Sequence, residues 1–134
     1  KAVILVGGGG TRLRPLTINT PKPLIPLVNR PFLDHVLFAL TEHGIQDVIL
    51  AVGYRAERFE EAYGDGSHVG VRITYAREER PLDTGWAIKN VQSQLTPGEP
   101  FLVLNGDILT DIDLADMRRF HRDNGSVCTI SLTS

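Results

Sequence analysis

Residues 2–14, with the sequence AVILVGGGGTRLR, place a continuous apolar run directly before four glycines. An apolar run of this kind is typical of a strand that is covered on both faces, as in a parallel sheet. Glycines directly after such a strand give a loop whose backbone N–H groups form a concavity for phosphate oxygens. The stretch therefore predicts a buried strand over residues 2–6 and an anion-binding loop over residues 7–10.

Two familiar phosphate-binding motifs do not match this loop. A dinucleotide fingerprint, Gly-x-Gly-x-x-Gly, that starts at Gly7 would end at position 12, where an arginine stands. A P-loop requires Gly-Lys-Ser/Thr at its end, whereas Gly10 is followed by Thr11 and Arg12. A dinucleotide-dependent oxidoreductase is therefore disfavoured, and a tight glycine turn without a ligand is the other interpretation of the loop.

The rest of the chain alternates between strand-like and helix-like segments. Four further apolar runs predict strands over residues 48–52, 71–76, 101–105 and 126–132. Four segments with apolar residues at helical spacing predict helices over residues 32–43, 56–63, 84–95 and 114–124. This alternation predicts one domain over residues 1–134 with an α/β, three-layer, Rossmann-like fold, in which a mostly parallel sheet carries helices on both faces.

Prolines and capping residues set the expected boundaries of these elements. Five of the eight prolines fall within residues 15–31, a density that predicts an extended, stiff loop without an ordinary helix. Thr84 and Asp113 are the expected N-caps of the third and fourth helices. Gly44 and Gly125 are the expected stops of the first and the fourth helix.

Composition bounds the functional class. With 134 residues, 42% of them hydrophobic, the chain is long enough for one packed core. Its net charge of −2 argues against a dedicated nucleic-acid binder, and no apolar run approaches the roughly 20 residues that span a bilayer. We therefore expect a cytoplasmic protein without a membrane partner. The single cysteine, Cys128, excludes an internal disulfide, and its apolar neighbours predict a buried, inert thiol.

Charge is unevenly distributed along the chain. Residues 1–33 contain five basic residues and no acidic ones, and the remainder contains nine basic and sixteen acidic residues. A local cationic zone on an anionic body suits a small anionic ligand held in a focused field. The alternative interpretation is a chance fluctuation over a short window.

The glycine loop and the proline-rich segment carry a resemblance to a known family. The stretch GGGGTRLRPLT, followed by Pro-Lys-Pro at residues 21–23, resembles the signature of the sugar-1-phosphate nucleotidylyltransferases, or nucleotide-sugar pyrophosphorylases. The similarity continues through residues 29–31, 48–54, 82–85 and 105–107, and therefore covers essentially the whole chain. The segments VLNGDILTDIDL and TGWAIKN are most similar to the mannose-1-phosphate guanylyltransferase-like branch.

This resemblance implies a reaction and a set of site residues. Enzymes of the family join a sugar 1-phosphate to the α-phosphate of a nucleoside triphosphate and release pyrophosphate. Such transfers depend mainly on alignment and charge stabilisation, so we assign Arg12 to the β- and γ-phosphates and Lys22 to phosphate; ordinary solvated side chains are the alternative. The residues expected to bind the nucleotide are Leu5, Gly7, Gly8, Gly9, Gly10, Thr11, Arg12, Asp83, Thr84 and Gly85.

Asp107 is the candidate metal ligand. It is also a catalytic candidate, as are Arg12 and Lys22. It follows a predicted buried strand, at the sheet edge where open α/β folds bind ligands. Mg²⁺ typically takes one or two carboxylates together with phosphate oxygens, so Asp107 is expected to hold Mg²⁺ as the cofactor. A turn aspartate or helix cap is the alternative interpretation.

The chain departs from the family pattern in two places. Asp83 and Trp86 stand where the commoner family form has glycine. Trp86 either stacks on a base or packs in the first turn of a helix, and Asp83 is a candidate acceptor for guanine N–H groups. In addition, the family's second metal-binding aspartate and its sugar-phosphate lysine lie further along than Ser134.

We therefore expect the nucleotide-binding part of a nucleotidyltransferase that makes a nucleotide sugar, with GTP as substrate and GDP-mannose as the suggested product. The alternative is a truncated or minimal nucleoside-triphosphate-binding domain with little or no turnover. An unpaired sheet edge near residue 134 would favour pairing with another copy, so we also expect a homo-oligomer.

Overall fold

The computed structural model describes residues 1–78 and 83–132, and its centre is a four-stranded parallel sheet. The strands are β1 (Ala2–Leu5), β4 (Asp47–Val52), β5 (Arg72–Arg77) and β6 (Leu102–Asn105), and their order across the sheet is β5-β4-β1-β6. β1 pairs with β4 on one side and with β6 on the other, both in parallel. The predicted strands over residues 2–6, 48–52, 71–76 and 101–105 are thereby confirmed to within one residue at each end.

The proline-rich segment is more compact than the sequence suggests. It contains no α-helix, as expected, but it forms a 3-10 turn over Lys22–Leu24 and a short hairpin of β2 (Pro26–Leu27) and β3 (Arg30–Pro31). Prolines at these positions fix the backbone angle that turns require. The prediction that no ordinary helix forms here is therefore confirmed, whereas the prediction of an extended loop was wrong.

Helices cover both faces of the sheet, as predicted. They are α1 (Phe32–Glu42), α2 (Ala56–Tyr63), α3 (Thr84–Asn90) and α4 (Leu114–Asp123). Alternate residues of β1 divide between two cores: Ala2 and Ile4 pack with side chains of α1 and α2, while Val3 packs with Val91 just after α3. Because successive side chains of a strand point to opposite faces, the continuous apolar run in β1 supplies both cores.

The third helix differs from its prediction. It ends at Asn90 and is followed by a 3-10 turn over Gln92–Gln94, although the apolar spacing predicts a helix to residue 95. Its N-cap is Asp83, one residue before the predicted Thr84, and no side chain caps it. By contrast, Asp113 caps α4 as predicted, since its carboxylate accepts hydrogen bonds from the backbone N–H groups of Ala115 and Asp116.

The predicted strand over residues 126–132 does not form in the described part of this segment. Its apolar side chains Val127, Ile130 and Leu132 are exposed, and so is Cys128, which was expected to be buried. A strand forms only beside a pairing partner, and the described residues offer this segment none. In the described residues, no helix is long and apolar enough to cross a membrane.

Candidate functional site

The order of the strands places a crevice at the carboxyl ends of β1 and β6. The chain leaves β1 towards β4 and β5 on one side of the sheet and returns to β6 on the other side. Open α/β sheets bind ligands at such a reversal point, outside the carboxyl ends of the strands. A cleft of about 720 Å³ opens there.

Most of the predicted site residues lie around this cleft. Ten of them line it: Leu5, Gly7, Gly8, Gly9, Gly10, Arg12, Lys22, Asp83, Thr84 and Asp107. Thr11 and Gly85 do not line it; Thr11 begins a 3-10 turn over Thr11–Leu13, and Gly85 lies inside α3. Four segments that are distant in sequence thus meet in one place: the glycine loop with Arg12, the turn that carries Lys22, the start of α3, and the segment after β6.

The glycine loop presents backbone donors to the cleft. Among the described residues, none of the N–H groups of residues 7–10 donates a hydrogen bond to a backbone carbonyl. Gly10 has a φ of 58°, in the left-handed region that glycine adopts without strain. Four consecutive unused donors are the feature that lets a loop bind phosphate oxygens.

Arg12 is a cation that lines this cleft. Its side chain is exposed and makes no hydrogen bond or ion pair with any residue that the structure describes. The planar guanidinium carries five donors and grips two phosphate oxygens at once. Arg12 is therefore placed and equipped to bind an anion that enters the cleft.

Lys22 forms an ion pair with Asp107 at the mouth of the cleft. The flanking residues Pro21 and Pro23 are buried, so the backbone at Lys22 is held firmly against the protein. The Nζ atom of Lys22 donates a hydrogen bond to Oδ2 of Asp107 over 2.6 Å. Both side chains are more than a third exposed, so the pair lies at the mouth of the cleft and not in the core.

Asp107 follows β6 through a glycine that the packing requires. A Cβ atom at Gly106 would overlap the side chain of Val6 and approach Ile4 Cγ2 to 3.2 Å. Gly106 N–H donates to the carbonyl of Leu5 over 3.0 Å, which continues the pairing of β1 with β6 past the end of the strand. The chain therefore turns directly over β1 and brings Asp107 close to the glycine loop.

The donor set at Asp107 fits a divalent cation only together with a ligand. Within the described ranges, no group of three or more His, Cys, Asp or Glu side chains could hold a metal ion. One carboxylate beside a phosphate-binding loop is nevertheless a typical arrangement for Mg²⁺, which completes its shell with phosphate oxygens and water. Asp107 is the residue that would hold the cation.

Sequence analysis missed several residues of the cleft. They are Val6, Leu13, Pro23, Glu78, Ala87 and Asn105. Glu78 and Asn105 stand at the carboxyl ends of β5 and β6, so the rule that ligands bind at this edge could have identified both. The carboxyl group of Glu78 lies against Gly7 and Gly53, where Cβ atoms would come within 2.8 and 3.0 Å of its oxygens.

Two predictions on the segment after β5 have different outcomes. Trp86 lies in the first turn of α3, as one of its two interpretations expects; it is 65% exposed and is not among the described residues that line the cleft. Leu82, the first residue of the segment 82–85 that contributes to the family resemblance, lies outside the described residues.

Comparison with known proteins identifies close relatives. A family model described as "Nucleotidyl transferase" matches residues 1–134. The chain is 47% identical over 131 residues to the mannose-1-phosphate guanylyltransferase of Mycobacterium tuberculosis. It is 45% identical over 135 residues to the catalytic subunit beta of mannose-1-phosphate guanylyltransferase from Drosophila pseudoobscura pseudoobscura.

A solved structure shows the same fold. The crystal structure of HddC from Yersinia pseudotuberculosis, complexed with GMP-PN, superposes with a TM-score of 0.81 and 32% identity over 91% of this chain and 54% of that one. The alignments cover 98% and 99% of this chain but 36% of the length of each of the two guanylyltransferases. The chain thus spans about a third of the curated relatives that it matches.

Proposed function

The chain belongs to the nucleotidyl transferase family, and we propose from this premise that it binds a nucleoside triphosphate in the cleft and transfers its nucleotidyl group to a sugar 1-phosphate. The observation that carries the proposal is the meeting of Lys22 with the N–H groups of residues 7–10 and with Arg12, none of which has an acceptor or acidic partner among the described residues. The products would be a nucleotide sugar and pyrophosphate.

The proposed reaction needs no nucleophilic side chain. An oxygen of the sugar phosphate attacks the α-phosphorus, and the bond from that phosphorus to the oxygen of the leaving pyrophosphate breaks. Such transfers are accelerated by alignment and by charges that stabilise the leaving group. The glycine loop and Arg12 would hold the β- and γ-phosphates, and Lys22, whose backbone segment lies beside Gly10, would bind phosphate at the mouth of the cleft.

Asp107 would hold Mg²⁺ in this scheme, and the cation would neutralise charge on the phosphates. The ion pair of Asp107 with Lys22 supports this role, because it places a cation and an anion at the same wall of the cleft. Lys22 would bind phosphate while Asp107 binds the metal, so each member of the pair would find a partner of opposite charge.

Guanine is the base that we propose, and mannose 1-phosphate is the proposed sugar substrate. Two similar relatives are named mannose-1-phosphate guanylyltransferases, and HddC, a solved structural neighbour, is complexed with GMP-PN. Glu78 and Asp83 line the cleft with carboxylates. A carboxylate accepts hydrogen bonds from the N1–H and N2–H donors of guanine, which adenine and the pyrimidines do not present in the same arrangement.

A second candidate function is nucleotide binding with little turnover. It needs only the cleft with its phosphate-binding candidates, all of which the described residues contain. We also propose self-association, because β6 is an edge of the sheet and the exposed side chains Phe101 and Val103 lie at that edge. Sedimentation that shows a clean monomer at tens of micromolar would refute self-association.

The test is pyrophosphate release with Mg²⁺, measured across four nucleoside triphosphates and several sugar 1-phosphates. Arg12→Ala serves as the site variant, and Arg72→Ala, at the opposite end of the sheet, serves as the matched control. Release that requires GTP and mannose 1-phosphate, and that falls at least about 100-fold in Arg12→Ala alone, would support the enzyme. Saturable nucleotide binding without release would support the binding module, and no binding by the folded protein would refute both.

A further inference from the structure

Thr17 is a buried polar side chain inside an exposed loop. Its exposed fraction is 1%, whereas the neighbouring Leu16 and Ile18 are 65% and 49% exposed. Among the described residues it is the single polar or charged residue that is buried. Burying a hydroxyl costs free energy unless it is hydrogen-bonded, so Thr17 needs a hydrogen-bond acceptor within the protein.

The partner of the Thr17 hydroxyl is the glycine loop. Oγ1 donates a hydrogen bond to the carbonyl oxygen of Gly10 over 2.8 Å. The same carbonyl accepts a hydrogen bond from the N–H of Leu13 over 3.0 Å. Two donors from one side hold the Gly10 carbonyl in a fixed direction.

The methyl group of Thr17 acts on the same glycine. A Cβ atom built on Gly10 would lie 2.9 Å from Cγ2 of Thr17 and 3.4 Å from Cβ of Lys22. Gly10 is thus enclosed between Thr17 and the segment that carries Lys22, at the point where φ is 58°. The loop and the lysine segment share one packing contact.

Fixing this carbonyl fixes the peptide group that follows it. The peptide bond is planar and trans, so the N–H of Thr11 points opposite to the carbonyl of Gly10, away from Thr17. Arg12 is the next residue in the same 3-10 turn. The direction in which the chain leaves the loop, and with it the approach of Arg12 to the cleft, depends on this peptide plane.

We propose that Thr17 is a positioning residue that holds the glycine loop in its anion-binding shape. The inference rests on the proposed function, since it assumes that the loop binds the phosphates of a nucleotide. Valine has nearly the shape of threonine, so the hydroxyl is not needed for packing; its role is the hydrogen bond to Gly10. Binding is strengthened when donors are already ordered before the ligand arrives.

The experiment compares Thr17→Val, which retains the shape, with Thr17→Ser, which retains the hydroxyl. We expect Thr17→Val to raise the Kd for GTP about tenfold, the effect of one hydrogen bond plus lost loop order, and Thr17→Ser to stay within about threefold of the wild type. The matched control is Thr41→Val, because Thr41 also donates to a backbone carbonyl over 2.8 Å but lies in α1. Calorimetry gives the Kd values, and urea denaturation gives the stability of each variant.

Three outcomes would overturn the proposal. A folded Thr17→Val protein with the wild-type Kd would show that the hydroxyl serves stability alone. A Thr17→Ser protein as impaired as Thr17→Val would assign the effect to the methyl contact, and a Thr41→Val protein with an equally raised Kd would make the effect non-specific.

A second readout keeps this test separate from the proposed function. Backbone ¹⁵N relaxation of the ligand-free protein reports the order of residues 8–11 without any nucleotide. We expect lower order parameters there in Thr17→Val, with values falling towards the flexible range below about 0.6, and no change in Thr41→Val. If the wild type binds no nucleotide, the proposed function fails, and unchanged loop order in Thr17→Val would refute the positioning role by itself.

Discussion

Arginines at the two ends of the sheet have opposite surroundings. At the amino ends of β4 and β5, the Nε atom of Arg72 lies 2.7 Å from Oδ1 of Asp47, and the hydrogen bond from Arg72 holds the pKa of that carboxyl below its usual range. At the carboxyl ends, Arg12 has no acidic partner among the residues that the structure describes. One cation is neutralised by the protein, and the other is left for a ligand.

Several other arginines on the body follow the paired pattern. Arg77 binds Glu60 through two hydrogen bonds of 2.9 and 2.6 Å, and Arg58 lies 3.3 Å from Glu61. An isolated cation in a cleft creates a positive field that attracts anions, whereas a paired cation does not. Arg12 differs from the paired arginines in that it lines the cleft and has no acidic partner among the described residues, and the following predictions test that difference.

The largest expected effect is on nucleotide binding by Arg12→Ala. Loss of a charged, two-pronged donor should raise the Kd for GTP about 10- to 100-fold, without a change in the urea midpoint. Arg12→Lys retains the charge but loses the planar fork, so we expect an intermediate value. An unchanged Kd in Arg12→Ala would show that the unpaired arginine is an ordinary surface residue.

The next effect should come from Asp107→Asn, which leaves Lys22 without its partner. We expect the Mg²⁺-dependent part of GTP affinity to fall at least about tenfold, because the carboxylate that would hold the cation is gone. Affinity measured with EDTA should not fall, since a negative charge has been removed from the cleft. Calorimetry with Mg²⁺ and with EDTA separates the two effects, and equal losses in both would contradict a metal role for Asp107.

Ionic strength should have a smaller effect than these substitutions, and it should act on nucleotide binding in the cleft more than on the stability of the protein. Raising NaCl from about 0.05 M to about 0.5 M shortens the screening length severalfold and should weaken GTP binding several-fold. The free energy of unfolding should change little over the same range, because exposed ion pairs contribute little to stability. Nucleotide affinity that does not respond to salt would contradict the focused positive field.

The smallest effect should follow from Arg72→Ala. The pair with Asp47 is exposed, so we expect a loss of stability near the error of urea denaturation and an unchanged Kd for GTP. The lowered pKa of Asp47 means that the pair stabilises the fold above the unfolded-state pKa of about 4. Any difference in stability from the wild type should therefore shrink as the pH falls below about 4 and vanish once Asp47 is protonated in the folded protein. A difference that grows at acid pH would contradict this expectation.

The sequence predicts the centre of the fold better than its boundary. β1 and the glycine loop were predictable because residues 2–6 are apolar without interruption, as a strand buried on both faces requires. The segment over 126–132 has a similar apolar pattern, but the described structure forms no strand there, since pairing depends on a neighbour that composition does not reveal. The local sequence pattern therefore predicts the propensity to form a strand, whereas the presence of a neighbouring strand decides whether the strand forms.

Most of the residues that line the candidate cleft could also be predicted from the sequence. Residues of the glycine loop, Arg12, Lys22 and Asp107 form recognisable motifs, and the structure brings them together around one cleft. Glu78 was missed because it opens the charged run EER, which is typical of a solvated segment. The buried environment of Thr17 was also unpredictable, because its neighbours in sequence are exposed and the contact with Gly10 exists only after the loop folds back.

The pairing of β1 with β6 has a consequence for how the protein folds. Ala2 pairs with Leu102, and Lys22 reaches Asp107 across 85 residues of sequence. Contacts of such long range form late and slowly, because a large loop must close before they add stability. The glycine loop could therefore exist in an early intermediate, but its opposite wall could not. In stopped-flow refolding, the binding of a fluorescent nucleotide would report when β6 pairs with β1. The rate of nucleotide binding would then measure the slowest step of folding.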